Sequence, residues 1–216
     1  MSSHKFNTII KGATIYNGTG EDSYRADVGI CGEKIVAIGD LNSDGANIID
    51  ARGLSLMPGI IDVHTHYDAQ ITWDPTLSPS PSMGVTTAVM GNCGFGIAPC
   101  PPEHQEIMLK NLSVVEGMNL KTLLEGTQWK FESFPDYLKY IDQQRPHANV
   151  AVLIGHSAIR TAVMGDDSSE RSKPAEEELD AMRAIVDEAL LHGAIGFASS
   201  FSPNHSGYEG RPMPST

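Results

Sequence analysis

Two regimes of apolar and polar positions follow one another along the chain, and they meet near Met57. Before that point, short runs of Ile, Val, Thr and Tyr are broken at close intervals by Gly and by Asn-Gly or Asp-Gly pairs. β-Branched and aromatic side chains suit a pleated surface, and Gly-containing pairs suit tight turns. The pattern therefore predicts strands over residues 8–10, 13–16, 27–31, 34–38 and 48–50. Turns fall at Asn17-Gly18, Gly32-Glu33 and Asp44-Gly45. Together these predict an antiparallel β module over residues 1–56, too small for a substantial core of its own and so expected to pack against something else.

After Leu56 the pattern changes to short, almost wholly apolar runs separated by stretches with helical spacing. Strands are predicted over residues 56–63, 86–90, 149–154 and 194–198, each suited to burial on both faces, which makes four βα units around a parallel sheet. Helices are predicted over 102–116, 134–143 and 174–192, with Ser133 placed to cap the second. The third has Pro174 in its first turn, Glu176, Glu177 and Glu178 at its positive end, and Gly193 as a stop. Leu179, Met182, Val186, Ala189 and Leu190 recur at helical spacing and should face the sheet. Four βα units begin either an open doubly wound sheet or a closed barrel. Residues 57–216 are too few for a complete barrel, which takes ~250 residues.

Composition sets limits on this picture. With 40% hydrophobic and 19% charged residues, 21 Gly and 13 Pro, the chain is globular and rich in loops, which excludes a disordered or collagen-like protein. Fifteen Lys and Arg against 27 Asp and Glu give a net charge of −12, which disfavours nucleic acid and anionic membrane as partners. An anionic substrate then has to be met by a local cation or a metal. No run approaches the ~18 apolar residues of a membrane span, and no signal-peptide core follows Met1, so a cytoplasmic protein is expected. The three cysteines, Cys31, Cys93 and Cys100, form no CxxC pair and do not read as a disulfide framework; Cys31 is expected as a small core residue.

Two motifs carry chemistry. In Gly59-Ile60-Ile61-Asp62-Val63-His64-Thr65-His66, strand alternation puts His64 and His66 on one face near the C-terminal end, where two imidazoles can grip one metal ion. The bland alternative is a pair of polar residues in a loop. In Met90-Gly91-Asn92-Cys93-Gly94-Phe95-Gly96, Cys93 closes the second strand and faces the same opening, because right-handed βα units bring strand C-termini to one end. A thiolate beside two imidazoles favours Zn²⁺, whereas the alternative is a buried structural cysteine. His156, after the third strand, belongs at the same mouth, either bonding substrate or orienting a ligand, or as a satisfied histidine beside a turn. Arg160 either pairs with a substrate carboxylate or is a solvated surface residue. Asp62 and Asp68 either hold histidine tautomers or cap backbone groups, and Tyr67 and Trp73 either wall a pocket or simply pack. His4, His104, His147 and His192 have no partners at useful spacing and are expected on the surface.

The segment Pro58 to His66 resembles the first-strand HxH motif of the amidohydrolase superfamily. Gly84-Val85-Thr86-Thr87 and residues 91–99 resemble its N-acyl-D-amino-acid deacylase branch. Gly155-His156-Ser157-Ala158-Ile159-Arg160 and residues 193–200 extend the likeness over nearly the whole chain. The resemblance implies an α/β fold in which residues 1–56 are part of a small β-sandwich, and residues 57–216 are the first four βα units of an incomplete TIM barrel of the metal-dependent hydrolase type. It further implies a zinc enzyme that hydrolyses the carbon–nitrogen bond of a small N-acyl-D-amino acid. His64, His66 and Cys93 match its metal ligands, the cysteine standing where other branches use a modified lysine. Residues 202–211 resemble a substrate-proximal loop, which makes His205 and Arg211 substrate contacts, against the alternative of a mobile tail. Further ligand histidines and the general base would lie beyond Thr216. The chain is thus expected to be an N-terminal fragment with part of a site and little activity alone, prone to oligomerise or to pair with a complementing C-terminal half. A cyclic amidase of the hydantoinase or dihydroorotase type, and an inert metal- or partner-binding fragment, are the competing readings.

Overall fold

The computed structural model describes residues 6–42, 46–202 and 205–215; the expected Asp44-Gly45 turn, His4, and Pro203 and Asn204 of the last loop lie outside them. The chain divides into two compact units, Met1–Gly59 and Ile60–Thr216.

In the first unit β1 (Thr8–Ile15), β2 (Tyr24–Cys31), β3 (Lys34–Gly39), β4 (Asn47–Asp50) and β5 (Ser55–Leu56) form one sheet in the order β3-β2-β1-β4, with β5 also on β1. The β1–β2 and β2–β3 pairs are antiparallel, but β4 and β5 run parallel to β1, so the sheet is mixed where an antiparallel one was expected. Local patterning reports hairpins; it carries no signal for a strand that returns beside β1 after a longer connection. The two runs expected over 8–10 and 13–16 are one strand with an irregular register between Ile10 and Ala13. Gly12 sits there at φ +73°, and its N–H leaves the ladder to donate to the Asp27 carboxylate at 2.8 Å. Ala13, Ile15, Val28 and Ala51 make a small core, while Ile35, Ile38, Ile48 and Ile49 are exposed. Cys31, expected in a core, is exposed at the end of β2.

In the second unit β6 (Ile60–Asp62), β7 (Val85–Met90), β8 (Asn149–Gly155) and β9 (Gly196–Ala198) form a parallel sheet in sequential order. The strand expected over 56–63 is divided: Pro58 has no N–H to give a ladder, so Leu56 ends in the first sheet and β6 begins at Ile60. Burial on both faces does not hold even for the central strands: Ala88 and Met90 of β7 and Val152 and Ile154 of β8 are buried on one face of each strand, with the core, while Thr87, Val89, Ala151 and Leu153 on the other are half-buried. Ile60, Ile61 and Phe197 on the outer strands are exposed. Between β6 and β7 the described residues form 3₁₀ turns and no α-helix, so the first expected βα unit lacks its helix.

Helices α1 (Gln105–Glu116), α2 (Leu120–Gly126) and α3 (Phe134–Gln144) link β7 to β8, and α4 (His156–Met164), α5 (Asp167–Glu170) and α6 (Glu176–Leu191) link β8 to β9. Ser133 caps α3, its hydroxyl accepting the Asp136 N–H at 3.2 Å. Pro174 lies outside α6, not in its first turn: Ala175 is the cap residue, and the Glu178 carboxylate accepts the Ala175 N–H at 2.6 Å. Leu190 is 45% exposed rather than on the packing face, and Ile185 takes that place beside Met182, Val186 and Ala189. The core between sheet and helices gathers Met90, Ile97, Leu109, Leu112, Leu123, Tyr137, Ile154 and Ile159.

Sequential parallel strands leave their C-terminal ends along one edge of the sheet. The segments that follow β6, β7, β8 and β9 therefore all start from that edge, and they carry His64 and His66, Cys93, His156, and Ser199 with Ser200. No helix among the described residues is long and apolar enough to cross a membrane.

Candidate metal centre

β6 stops two residues short of the first histidine of the HxH motif. The Asp62 carboxylate accepts the His64 N–H at 3.2 Å, a local turn that ends the strand, so His64 and His66 stand just past the strand and not on it. Asp62 thus caps backbone. Thr65 then returns to β7, with its N–H and its hydroxyl both donating to the Val89 carbonyl, at 3.0 and 2.7 Å. That double contact restores what strand pairing would have given, and the two imidazoles flanking Thr65 meet edge to face with centroids 5.2 Å apart.

Beyond β7, Gly91 at φ +80° turns the chain into a single 3₁₀ turn, Asn92–Gly94. Cys93 within it has φ +56°, a conformation that costs an L residue roughly 1–2 kcal/mol and persists only where its surroundings hold it. Asn92 is buried, and its amide Nδ2 donates to the Val89 carbonyl at 2.8 Å and to the Thr65 carbonyl at 3.3 Å.

The result is a cluster. The donor atoms of His64, His66 and Cys93 all lie within 4.8 Å of one another, and Cys93 Sγ is 3.3 Å from His64 Nε2. Ligands around one tetrahedral zinc, with bonds of about 2.0–2.3 Å, stand roughly 3.3–3.7 Å apart. The Cys93–His64 pair already has that spacing, the set as a whole would draw in by about 1 Å around an ion, and its chemistry of two imidazoles and a thiol suits zinc. His64 is exposed while His66 and Cys93 are half-buried, so the cluster opens to solvent on one side. Burial first, then the neighbouring His64 and His205 rings, push the His66 imidazole down to about 4. At neutral pH it is therefore uncharged and has a lone pair to offer.

His205, counted in the sequence as a substrate contact or as part of a mobile tail, lies near enough to His66 to act on its protonation. Its ring meets Phe95 edge-on at 5.4 Å, and its Nδ1 is 2.9 Å from the Ser200 hydroxyl. The segment after it is packed and not a loose tail: Met213 is buried, Ser206 bridges Pro212, and the Ser215 hydroxyl donates to the Ser200 carbonyl at 2.9 Å. His156 follows β8 as the first residue of α4, with its Nδ1 2.9 Å from the Ser199 hydroxyl. Burial, then Arg160, lowers its pKa.

Arg160 is neither in solvent nor with the cluster. It is 5% exposed, and its guanidinium donates to the backbone carbonyls of Ser168 at 3.3 Å and Arg171 at 2.6 Å. Asp68 is buried, and its backbone carbonyl accepts the Tyr137 hydroxyl at 2.8 Å. Tyr67 and Trp73 pack against the core, His147 and His192 are exposed, and His104 is half-buried. An apolar cavity of about 590 Å³ between α4, α6 and β9 is lined by His156, Ile159, Met182, Val186 and Phe197, and it includes none of the three clustered donors.

Thr65, Asn92, Ser199 and Ser200 carry contacts to which the sequence assigns no role. Thr65 and Asn92 are embedded in the two motifs, so position could have flagged them. The two serines have no distinguishing signal beyond following an apolar strand.

Residues 47–204 match the Amidohydrolase family. D-aminoacylase of Alcaligenes xylosoxydans xylosoxydans is 36% identical over 91% of this chain and 38% of its own length. N-acyl-D-aspartate deacylase of the same organism is 38% identical over 88% of this chain and 36% of its own. Among solved structures, N-acyl-D-glutamate deacylase from Bordetella bronchiseptica, complexed with zinc and a phosphonate mimic of the tetrahedral intermediate, is 35% identical with a TM-score of 0.74. That match covers 91% of this chain and 38% of the other. The chain thus spans about two fifths of the length of the relatives it matches.

Proposed function

Because this chain belongs to the amidohydrolase family, we propose that His64, His66 and Cys93 hold zinc in an enzyme that removes the acyl group from N-acyl-D-amino acids. The observation that carries the reading is the convergence of two ring nitrogens and one sulfur within 4.8 Å at the C-terminal edge of the parallel sheet. Deacylases of this substrate class are its relatives over about nine tenths of its length. A bound zinc ion supplies Lewis acidity toward the amide carbonyl and lowers the pKa of water to ~7.

The chain's own residues have separable tasks. His66, kept uncharged by its burial, presents nitrogen without competition from a proton. Cys93 is held at its unusual φ by the turn and presents sulfur beside His64. His156 and His205, each fixed by a serine hydroxyl after β9, are oriented to meet the polar groups of a substrate. We assign these residues part of a site, since the chain spans about two fifths of the length of its relatives. The same reading takes residues 1–56 as part of a β-sandwich and residues 57–216 as the opening of the barrel.

Zinc content tests the site. The unaltered chain should retain zinc through dialysis, and His64→Asn and Cys93→Ala should lose it; equal zinc in all three overturns the assignment. Acetate release from N-acetyl-D-amino acids, assayed beside ring opening of hydantoin with the intact protein, tests the substrate class. Turnover of the cyclic amide alone would replace the deacylase by a cyclic amidase.

A further inference from the structure

We propose that Asn92 and Thr65 are positioning residues that set the spacing between the histidine pair and the cysteine, an inference that rests on the zinc reading above. The two motifs leave neighbouring strands whose ladder ends at Asp62 and Ala88, short of the ligands, so their spacing has to be set beyond the sheet. One side-chain amide sets it in the structure. Asn92 precedes Cys93, and the two hydrogens of its Nδ2 go to the Val89 carbonyl at 2.8 Å and to the carbonyl of Thr65, the residue between His64 and His66, at 3.3 Å. Thr65 answers from the other side, donating to the Val89 carbonyl through its N–H at 3.0 Å and its hydroxyl at 2.7 Å. Three donors thus converge on one oxygen, and both residues are over nine tenths buried, so water does not replace the bonds.

The chemistry admits one orientation of the amide. Turning it over would set its oxygen against two carbonyl oxygens, so the Asn92 nitrogen faces Val89 and Thr65. A carboxylate of the same shape has no hydrogen to give at neutral pH and would be repelled by both acceptors. Ligand atoms must be held to within about 0.5 Å for a tight site, and groups that orient ligands in this way typically matter 10–100-fold in metal affinity.

The experiment measures zinc affinity by chelator competition, and the thiolate-to-metal charge-transfer band of the Co²⁺-loaded chain, for the unaltered protein and for N92D, T65V and T65S. Thermal midpoints are recorded without metal. We expect N92D to bind zinc about 10–100-fold more weakly with a diminished band, T65V to follow in the same direction, and T65S, which keeps the hydroxyl, to match the unaltered protein. Wild-type affinity in folded N92D and T65V, even with lowered midpoints, would show the bonds to be structural only and would overturn the inference. Should N92D fail to fold, the contrast between T65V and T65S decides. Absence of zinc from the unaltered chain is a different result: it removes the metal reading itself, and this inference with it.

Discussion

A β-carbon on Gly91 would stand 2.0 Å from the carbonyl oxygen of Leu153, so the turn after β7 runs directly against the backbone of β8. Gly91 also sits at φ +80°, where an L side chain is strained. Gly91→Ala is therefore expected to destabilise the chain by at least about 2 kcal/mol in urea denaturation and to weaken zinc binding, because Cys93 lies two residues on. Unchanged stability would mean that β8 yields at no cost.

The three thiols should differ in reactivity. The Cys100 thiol is pushed up to about 12, by burial first and then by Glu103, whereas Cys31 is exposed and Cys93 half-buried. The thiolate is the reactive species. Alkylation at pH 8 followed by peptide mass spectrometry should label Cys31 first and Cys100 only after unfolding. Cys93 should be labelled when a chelator is present and protected when zinc is supplied; labelling indifferent to zinc would count against its role.

Asp27 gives the first sheet an acid limit. Burial raises its pKa, but the Gly12 and Leu41 N–H groups and the Lys11 ammonium outweigh that, and the net shift is downward. A carboxyl whose folded pKa lies below the unfolded value of ~3.9 contributes its full stabilisation above that value and loses it as pH falls through the folded one. Asp27→Asn should cost about 1–3 kcal/mol at pH 7, and the difference from the unaltered chain should shrink below about pH 4. A penalty that stays constant down to pH 2 would contradict the assignment.

Arg160 should matter for stability and not for metal. Its guanidinium holds the Ser168 and Arg171 carbonyls beside α5, and hydrogen bonds from a charged donor of this kind contribute about 1.5–3 kcal/mol. Arg160→Met is expected to lower the denaturation midpoint accordingly with zinc affinity preserved. A variant as stable as the parent would return Arg160 to the candidates for substrate binding.

The sequence made β7 and β8 legible because their short apolar runs stand out between helical stretches, although only one face of each is fully buried, and α3 because Ser133 marks its start. Both motifs converge as strand polarity implies. What stayed hidden is what depends on distant partners. The parallel return of β4 and β5 to β1 leaves no local trace. Helix α4 follows β8 with no residue between, and Gly155, the last of the strand, reads as a turn and serves as a cap. The interruption at Pro58 was readable, yet the apolar run around it masked it. Arg160 looks like any surface arginine until the carbonyls that enclose it are brought near by folding.

The acceptor at the centre of the Thr65 and Asn92 contacts belongs to the main chain of Val89, and every amino acid placed there brings the same oxygen with it. A saturation library across these three positions should accordingly be lopsided. Position 89 would tolerate whatever its half-buried strand environment accepts, while the donor chemistry narrows the choices at 65 and 92. Drift can rewrite the residue that receives all three bonds and leave the ligands where they stand.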